Sequence, residues 1–199
     1  MLGARHAVRL AAEADQPGLV AMLSRAFADD PLLCWAYDRP RPRAAASDRF
    51  FRFRTDALLG QGVTWTTPDL SGAAAWALPG QWAVPLRQEA RFAASVIPAV
   101  RRPITKAIAM AGIEAKHPEA PHLYLSLLGV DPRRQGEGLG TALLAPGLEL
   151  CDEERWPAYL ETETQRNADF YGRMGFAIVD RFDLPKGGPT IWRMWREPH

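Results

Sequence analysis

The run Leu128-Gly129-Val130-Asp131-Pro132-Arg133-Arg134-Gln135-Gly136-Glu137-Gly138-Leu139-Gly140-Thr141 constrains this chain more than any other stretch. An apolar strand pattern ends at Val130, and a loop with glycine at 136, 138 and 140 leads into helical spacing from Leu139 onward. Glycine lets backbone N–H groups approach an anion with no Cβ in the way, and a helix N-terminus adds a partial charge of about +0.5. Strand, loop and helix thus form one unit that suits a phosphate-bearing ligand, with a plain structural turn as the alternative. Two phosphate loops are excluded. A P-loop places Lys-Ser or Lys-Thr after its last glycine, whereas Gly140 is followed by Thr141-Ala142 and the loop holds no lysine. The dinucleotide fingerprint needs GxGxxG, and Gly136-Glu137-Gly138-Leu139-Gly140 is spaced GxGxG.

Composition narrows the rest. At 199 residues the chain is sized for one domain, and Lys+Arg 24 against Asp+Glu 23 leaves a formal charge of +1. Capture of nucleic acid by bulk charge is disfavoured. Cys34 and Cys151 form no CxxC, and His6, His117, His122 and His199 show no HExxH or HxH grouping, so neither a disulfide framework nor a metal site is expected. The longest uncharged stretch, Leu70 to Leu86, is broken by Pro79-Gly80 and Pro85, while a membrane span needs ~20 mostly apolar residues. MLGARHAVRL lacks a secretory apolar region. A cytoplasmic protein without a membrane or nucleic-acid partner is expected, as a monomer or homodimer.

Periodicity supplies the elements. Val8 to Leu10 reads as a strand, and Asp15 with Pro17 opens a helix that stops near Asp29-Asp30-Pro31. Tyr37 to Pro42 reads as a proline-punctuated loop, and Ser47-Asp48 opens a second helix running to Gly60. Strands follow at 63–67 and 73–78, then two short helices between Gln88 and Glu114, separated at Pro98 and Pro103. The second half reads as a strand at 123–130, a helix at 138–154 kinked at Pro146-Gly147, and a strand at 158–162. A short helix at 168–174 closed by Gly175 and strands at 176–180 and 191–195 complete it. This order predicts an α/β sheet with a crossover unit in the second half.

Two patterns together resemble the GNAT superfamily of N-acetyltransferases. Gln135-x-x-Gly138-x-Gly140, after a strand ending Val130-Asp131-Pro132, is the first; Asn167-x-x-Phe170-Tyr171-x-x-x-Gly175-Phe176, one strand and one short helix later, is the second. The resemblance implies an α/β fold with a mixed central sheet flanked by helices. It also implies one domain over 1–199, with acceptor-side elements mainly in 1–120 and the acetyl-CoA-binding half in 121–199. Acetyl-CoA is then the co-substrate, no metal is needed, and the acceptor is the amine of a small molecule. Further stretches, Ala26 to Asp29, Pro146 to Glu149 and Gly188 to Met194, are similar to antibiotic-detoxifying members that act on aminoacyl nucleosides. Departures at Asp30 and at His122-Leu123 bear on the acceptor. A protein- or peptide-modifying acetyltransferase and a catalytically silent CoA-binding regulatory module are the alternatives.

Site residues follow from the resemblance and from the needs of thioester aminolysis. The loop, Gln135, Gly136, Glu137, Gly138, Leu139, Gly140 and Thr141, is expected to hold the pyrophosphate through backbone amides. Leu128 and Val130 offer backbone contacts to the acetyl and pantetheine groups, and Asn167 a hydrogen bond to the pantetheine arm or an N-cap for its helix. Tyr171 is expected beside the sulfur as a donor to the departing thiolate, its phenol (pKa ~10) a slightly weaker acid than a thiol (~8.5). Glu161 is the candidate base, with an ion pair to Arg166 as its bland reading, and His122 is the rival base. Asp29 and Asp30 would suit a cationic amine, and Trp35 and Tyr37 a planar group.

Overall fold

The computed structural model describes residues 6–61 and 63–199. Its strands are β1 (Arg9–Leu10), β2 (Thr64–Thr66), β3 (Gly72–Ala77), β4 (Leu123–Val130), β5 (Ala158–Thr162), β6 (Ala177–Asp183) and β7 (Thr190–Arg196). They form one mixed sheet in the order β1-β2-β3-β4-β5-β7-β6, in which only β4 and β5 run parallel. The helices are α1 (Gln16–Ala26), α2 (Pro31–Ala36), α3 (Pro40–Leu59), α4 (Leu86–Val96), α5 (Pro103–Glu114), α6 (Leu139–Glu154) and α7 (Gln165–Gly172). The expected α/β fold with a mixed central sheet flanked by helices is the one observed.

Alternation along β3 divides the core. Ala73, Ala75 and Ala77 face a cluster built on Leu19, Met22 and Leu23 of α1 and Phe51 and Leu58 of α3. Ala74 and Trp76 face Leu143, Leu144 and Cys151 of α6. Burying each of these large side chains contributes about 1.5–3 kcal/mol, which fixes both helix layers to the sheet. Alanines on β3 let the helices approach closely. Gly147 matters in the same way, because a Cβ there would lie 2.5 Å from the Trp76 indole.

Two irregularities of β4 create the site. Its register to β3 shifts between Ala75↔Leu127 and Trp76↔Leu125, so Ser126 is an extra residue. That bulge reverses the alternation: Leu123 and Leu125 pack on the α6 side, whereas Leu127 joins the α1 side. The pairing of β4 with β5 is confined to Leu123↔Ala158 and Tyr124↔Tyr159. Beyond Tyr124 the two parallel strands part, and among the described residues no strand pairs with that edge of β4 up to Val130.

Three expectations need correction. Pro31 to Ala36 is a helix, because the Asp30 carboxylate caps it by accepting the Leu33 N–H at 2.8 Å and Pro31 sits in its first turn. α3 starts at Pro40 rather than Ser47, since prolines in a first turn forfeit no intrahelical bond, so residues 40–42 are helix, not loop. α7 starts at Gln165 with Thr164 as its N-cap, accepting the Asn167 N–H at 3.2 Å, so Asn167 lies inside the helix and is not its cap.

Candidate active site

The loop after β4 is pinned from below. Asp131 is buried and accepts from Arg133 Nε at 3.0 Å and Arg25 Nη2 at 2.9 Å. These guanidiniums and the Arg133 N–H hold its carboxyl far below the usual range. Gln135 Nε2 folds back onto the Val130 carbonyl at 3.3 Å, and Arg134 bridges Glu137 and Asp69 at 2.7 and 2.9 Å. Gly136 and Gly138 take φ of +85° and +87°, conformations glycine adopts without strain, and a Cβ on either would meet open space. Among the described residues, no amide N–H from Gln135 to Thr141 donates to a protein acceptor. A run of free donors at the start of α6 is an anion cradle.

That cradle opens into a cavity of about 830 Å³. Arg134, Arg166 and Arg173 line it, as do Leu128, Val130, Asn167 and Tyr171. Tyr171 is packed between Phe170 and Phe176, with ring centroids 5.2 and 5.9 Å away. Its hydroxyl has no hydrogen-bond partner among the described residues, and burial together with the Glu163 charge raises its pKa above the ordinary phenol value. Tyr171 is therefore a neutral O–H donor facing the cavity.

A second cavity, about 240 Å³, adjoins the first, and Phe27 and Asp30 line both. Its walls are aromatic at Phe50, Trp82, His117 and Tyr124 and acidic at Glu114, Glu161 and Glu163, against one cation, Arg54. Arg54 donates to Ser126 Oγ at 3.2 and 2.5 Å, so the bulge residue carries a guanidinium at the wall of this cavity. Glu161 accepts Tyr124 O–H and Tyr159 O–H, each at 2.7 Å, and burial nonetheless raises its pKa. Burial also raises Glu163, with the Asp30 and Glu161 charges adding to the effect, and burial raises Asp30. Three carboxyls whose charge is disfavoured thus line the smaller cavity, Asp30 among them at its junction with the larger one, an arrangement that attracts a cation and accepts its proton.

Residues 64–176 match the acetyltransferase (GNAT) family. The chain belongs to that family. An uncharacterized N-acetyltransferase of Schizosaccharomyces pombe is 26% identical over 197 residues, covering 89% of this chain and 76% of the yeast protein. Among solved structures, "histone acetyltransferase HPA2 and related acetyltransferase" from Corynebacterium glutamicum is 26% identical with a TM-score of 0.73, covering 98% of each chain. Arylalkylamine N-acetyltransferase 2 of Aedes aegypti shares the fold at 14% identity and a TM-score of 0.70, covering 97% of this chain and 99% of its own. The protein is a GNAT N-acetyltransferase, and the donor its family uses is acetyl-CoA.

The GNAT site gathers part of the expected residue set. Leu128, Val130, Gln135, Gly136, Gly138, Leu139, Gly140, Thr141, Asn167 and Tyr171 line the larger cavity, and Asp29 and Asp30 join them. Glu137 does not line it, because its carboxylate is turned to Arg134. Glu161 lines the smaller cavity without the ion pair to Arg166, which stands over the larger one. Tyr37 is 5% exposed in the core behind α2, and Trp35 packs on Gly188 and Lys106, so neither reaches either cavity. His122 is also outside both; Ala120 and His117 occupy its ring nitrogens. The sequence reading missed Glu163, His117, Trp82, Arg54 and Tyr124. Glu163 carried a signal, two residues beyond Glu161 on the same strand exit; the others come from distant elements. Among the described residues no metal-holding group of His, Cys, Asp and Glu occurs, and no helix is long and apolar enough to cross a membrane.

Proposed function

We propose that this GNAT enzyme acetylates a small cationic amine that carries an aromatic or other planar group. The carrying observation is the 240 Å³ cavity, aromatic on its walls and lined by four carboxyl side chains, with Phe27 and Asp30 shared with the larger cavity. Drug-sized ligands occupy roughly 300–1,000 Å³, so the cavity suits a compact amine or the amine-bearing end of a larger molecule. Sequence likeness to puromycin N-acetyltransferase supports the second form, an aminoacyl nucleoside whose aromatic aminoacyl end enters while the nucleoside stays outside. Detoxification of such an antibiotic is the role that follows. The carboxyl cluster supports a cationic acceptor in either case.

In this reading acetyl-CoA supplies the acyl thioester, its pyrophosphate held by the free amides of residues 135–141 and by Arg134, Arg166 and Arg173. The ammonium enters beside Asp30 and Glu163, and Glu161 takes its proton. The neutral amine then attacks the carbonyl carbon, a β4 backbone N–H steadies the oxyanion, and Tyr171 donates to the sulfur as the C–S bond breaks. The second amine proton replaces the one Tyr171 gave to the thiolate as the amide forms, so the tyrosine ends the cycle neutral.

The histone-acetyltransferase name of the Corynebacterium structure keeps a lysine side chain as the second reading. Asp30→Asn and Glu163→Gln test the cluster, and asparagine retains the α2 cap. Either change should raise KM for a cationic acceptor about tenfold or more, since close charge pairs couple by about 1.5 kcal/mol or more. KM for acetyl-CoA should stay as it is. Unchanged acceptor KM in both variants refutes the proposal.

A further inference from the structure

Arg54 is out of place in the smaller cavity, where Asp30, Glu114, Glu161 and Glu163 also stand. It lies one helical turn after Phe50 on α3, so this face of the helix presents a ring and a guanidinium to the same space. A guanidinium carries five N–H donors in a planar fork. Nε and Nη2 each give one to Ser126 Oγ, at 3.2 and 2.5 Å, which fixes the plane of the fork. Among the described residues the other three, both on Nη1 and one on Nη2, have no protein acceptor. Half-buried donors of this kind cost free energy until an acceptor meets them.

Neither does a carboxylate neutralise Arg54. Its charge acts on Glu161, Tyr124 and Glu114. Among the described residues, however, the ion pairs leave it out. Arg54 and Glu161 therefore line one cavity as opposite charges that do not touch. Glu161 accepts from Tyr124 and Tyr159, and each of its oxygens keeps a lone pair for an ammonium. A ligand that satisfies both walls brings a donor to the carboxylate and an acceptor to the guanidinium. A plain amine brings only the first. In an α-amino carbonyl group the two lie on adjacent carbons. A free carboxylate would add negative charge to a space that already holds four carboxyl groups, so the acceptor that fits is the neutral carbonyl of an amide or ester.

We propose that Arg54 is a specificity-determining residue: its free N–H groups donate to a carbonyl oxygen adjacent to the amine-bearing carbon, so the enzyme selects α-aminoacyl amides and esters over plain arylalkylamines. This rests on the function proposed above and narrows its substrate class. Ser126 holds the fork, the carbonyl occupies Nη1, and the aromatic group lies among Phe50, Trp82 and Tyr124. The contact orients the amine toward Glu161 and adds to binding. A guanidinium that merely offset the acidity of the cavity would act on every acceptor alike.

A matched pair of acceptors separates the two roles. Phenylalaninamide has the amine and ring of 2-phenylethylamine and adds a carboxamide on the amine-bearing carbon. The whole protein is assayed with each at saturating acetyl-CoA and one pH. The readout is the ratio of kcat/KM for the amide to that for the amine, compared between parent and variant, in which the differing basicity of the two amines cancels. Arg54→Met keeps an unbranched stem and removes every donor; it should lower the ratio on the order of 10–100-fold, the range for a hydrogen bond from a charged group. Ser126→Ala leaves the guanidinium but frees the fork, and should lower the ratio several-fold. For the parent, free phenylalanine should be a poorer acceptor than phenylalaninamide. A parental ratio in Arg54→Met, or in Ser126→Ala where the first variant does not fold, overturns the role of Arg54 and leaves the proposed function standing. Phenylalanine ahead of its amide overturns the neutral carbonyl. A parent that acetylates no amine at all overturns the proposed function and this inference with it.

Discussion

Tyr171→Phe separates chemistry from fold more cleanly than any other change in this protein. The hydroxyl has no hydrogen-bond partner among the described residues, so its removal strands no buried donor or acceptor there, and the ring contacts to Phe170 and Phe176 persist. Stability should therefore move by no more than about 0.5 kcal/mol, which for a chain of this size is a shift of about 2 °C or less in Tm. Turnover is different. Loss of a general acid costs ~10²–10⁴-fold, or about 2.7–5.5 kcal/mol of transition-state stabilisation. Because burial and Glu163 raise the Tyr171 pKa above its ordinary value of 10.0, the hydroxyl stays protonated through the working range. The parent should thus show no alkaline loss of activity from this group, and the variant should be depressed equally from pH 7 to 9. Thiol release in a single turnover at saturating acetyl-CoA reads the chemical step directly. A variant that folds, binds acetyl-CoA and turns over at the parental rate in that assay refutes the assignment.

Gly138→Val places a branched side chain at φ +87° where the phosphate oxygens would sit; acetyl-CoA at ~100 times its Kd should add about 2.7 kcal/mol to the parent and nothing to the variant, as melting curves with and without the ligand will show. Glu163→Gln should stabilise the protein at neutral pH, because a carboxyl whose folded pKa is raised loses stability as pH climbs from its ordinary 4.5 through the folded value. The gain over the parent should vanish below that ordinary value, and Tm against pH for both proteins measures it. Gly147→Ala forces a Cβ to within 2.5 Å of the buried Trp76 indole, and overpacking of about 1–3 kcal/mol should lower Tm by several degrees in thermal unfolding.

Much of the lining of the larger cavity was legible because it is contiguous: six residues between Gln135 and Thr141, with Asn167 and Tyr171 on α7, contribute to it. The smaller cavity was not. Trp82 comes from a loop, Arg54 from α3, His117 from the turn after α5 and Tyr124 from β4, and no spacing in the chain links them. Trp35 and Tyr37 illustrate the opposite error. Their position after the first helix pointed to the cleft, but the unforeseen helix Pro31–Ala36 directs Tyr37 into the core. The Ser126 bulge was equally hidden, since Leu123, Leu125 and Leu127 read as one face in the sequence and pack on two in the fold.

The most direct test of the proposed acceptor is kcat/KM, at one pH, for a compact arylalkylamine, puromycin, an amino-acid amide, an aminoglycoside and a lysine-bearing peptide, scored by CoA release and by the mass of the acetylated product. The structure predicts that an amine with an aromatic group leads the panel by tenfold or more. A peptide preferred by tenfold, about 1.4 kcal/mol of transition-state binding, or the absence of any acetylated amine, contradicts it.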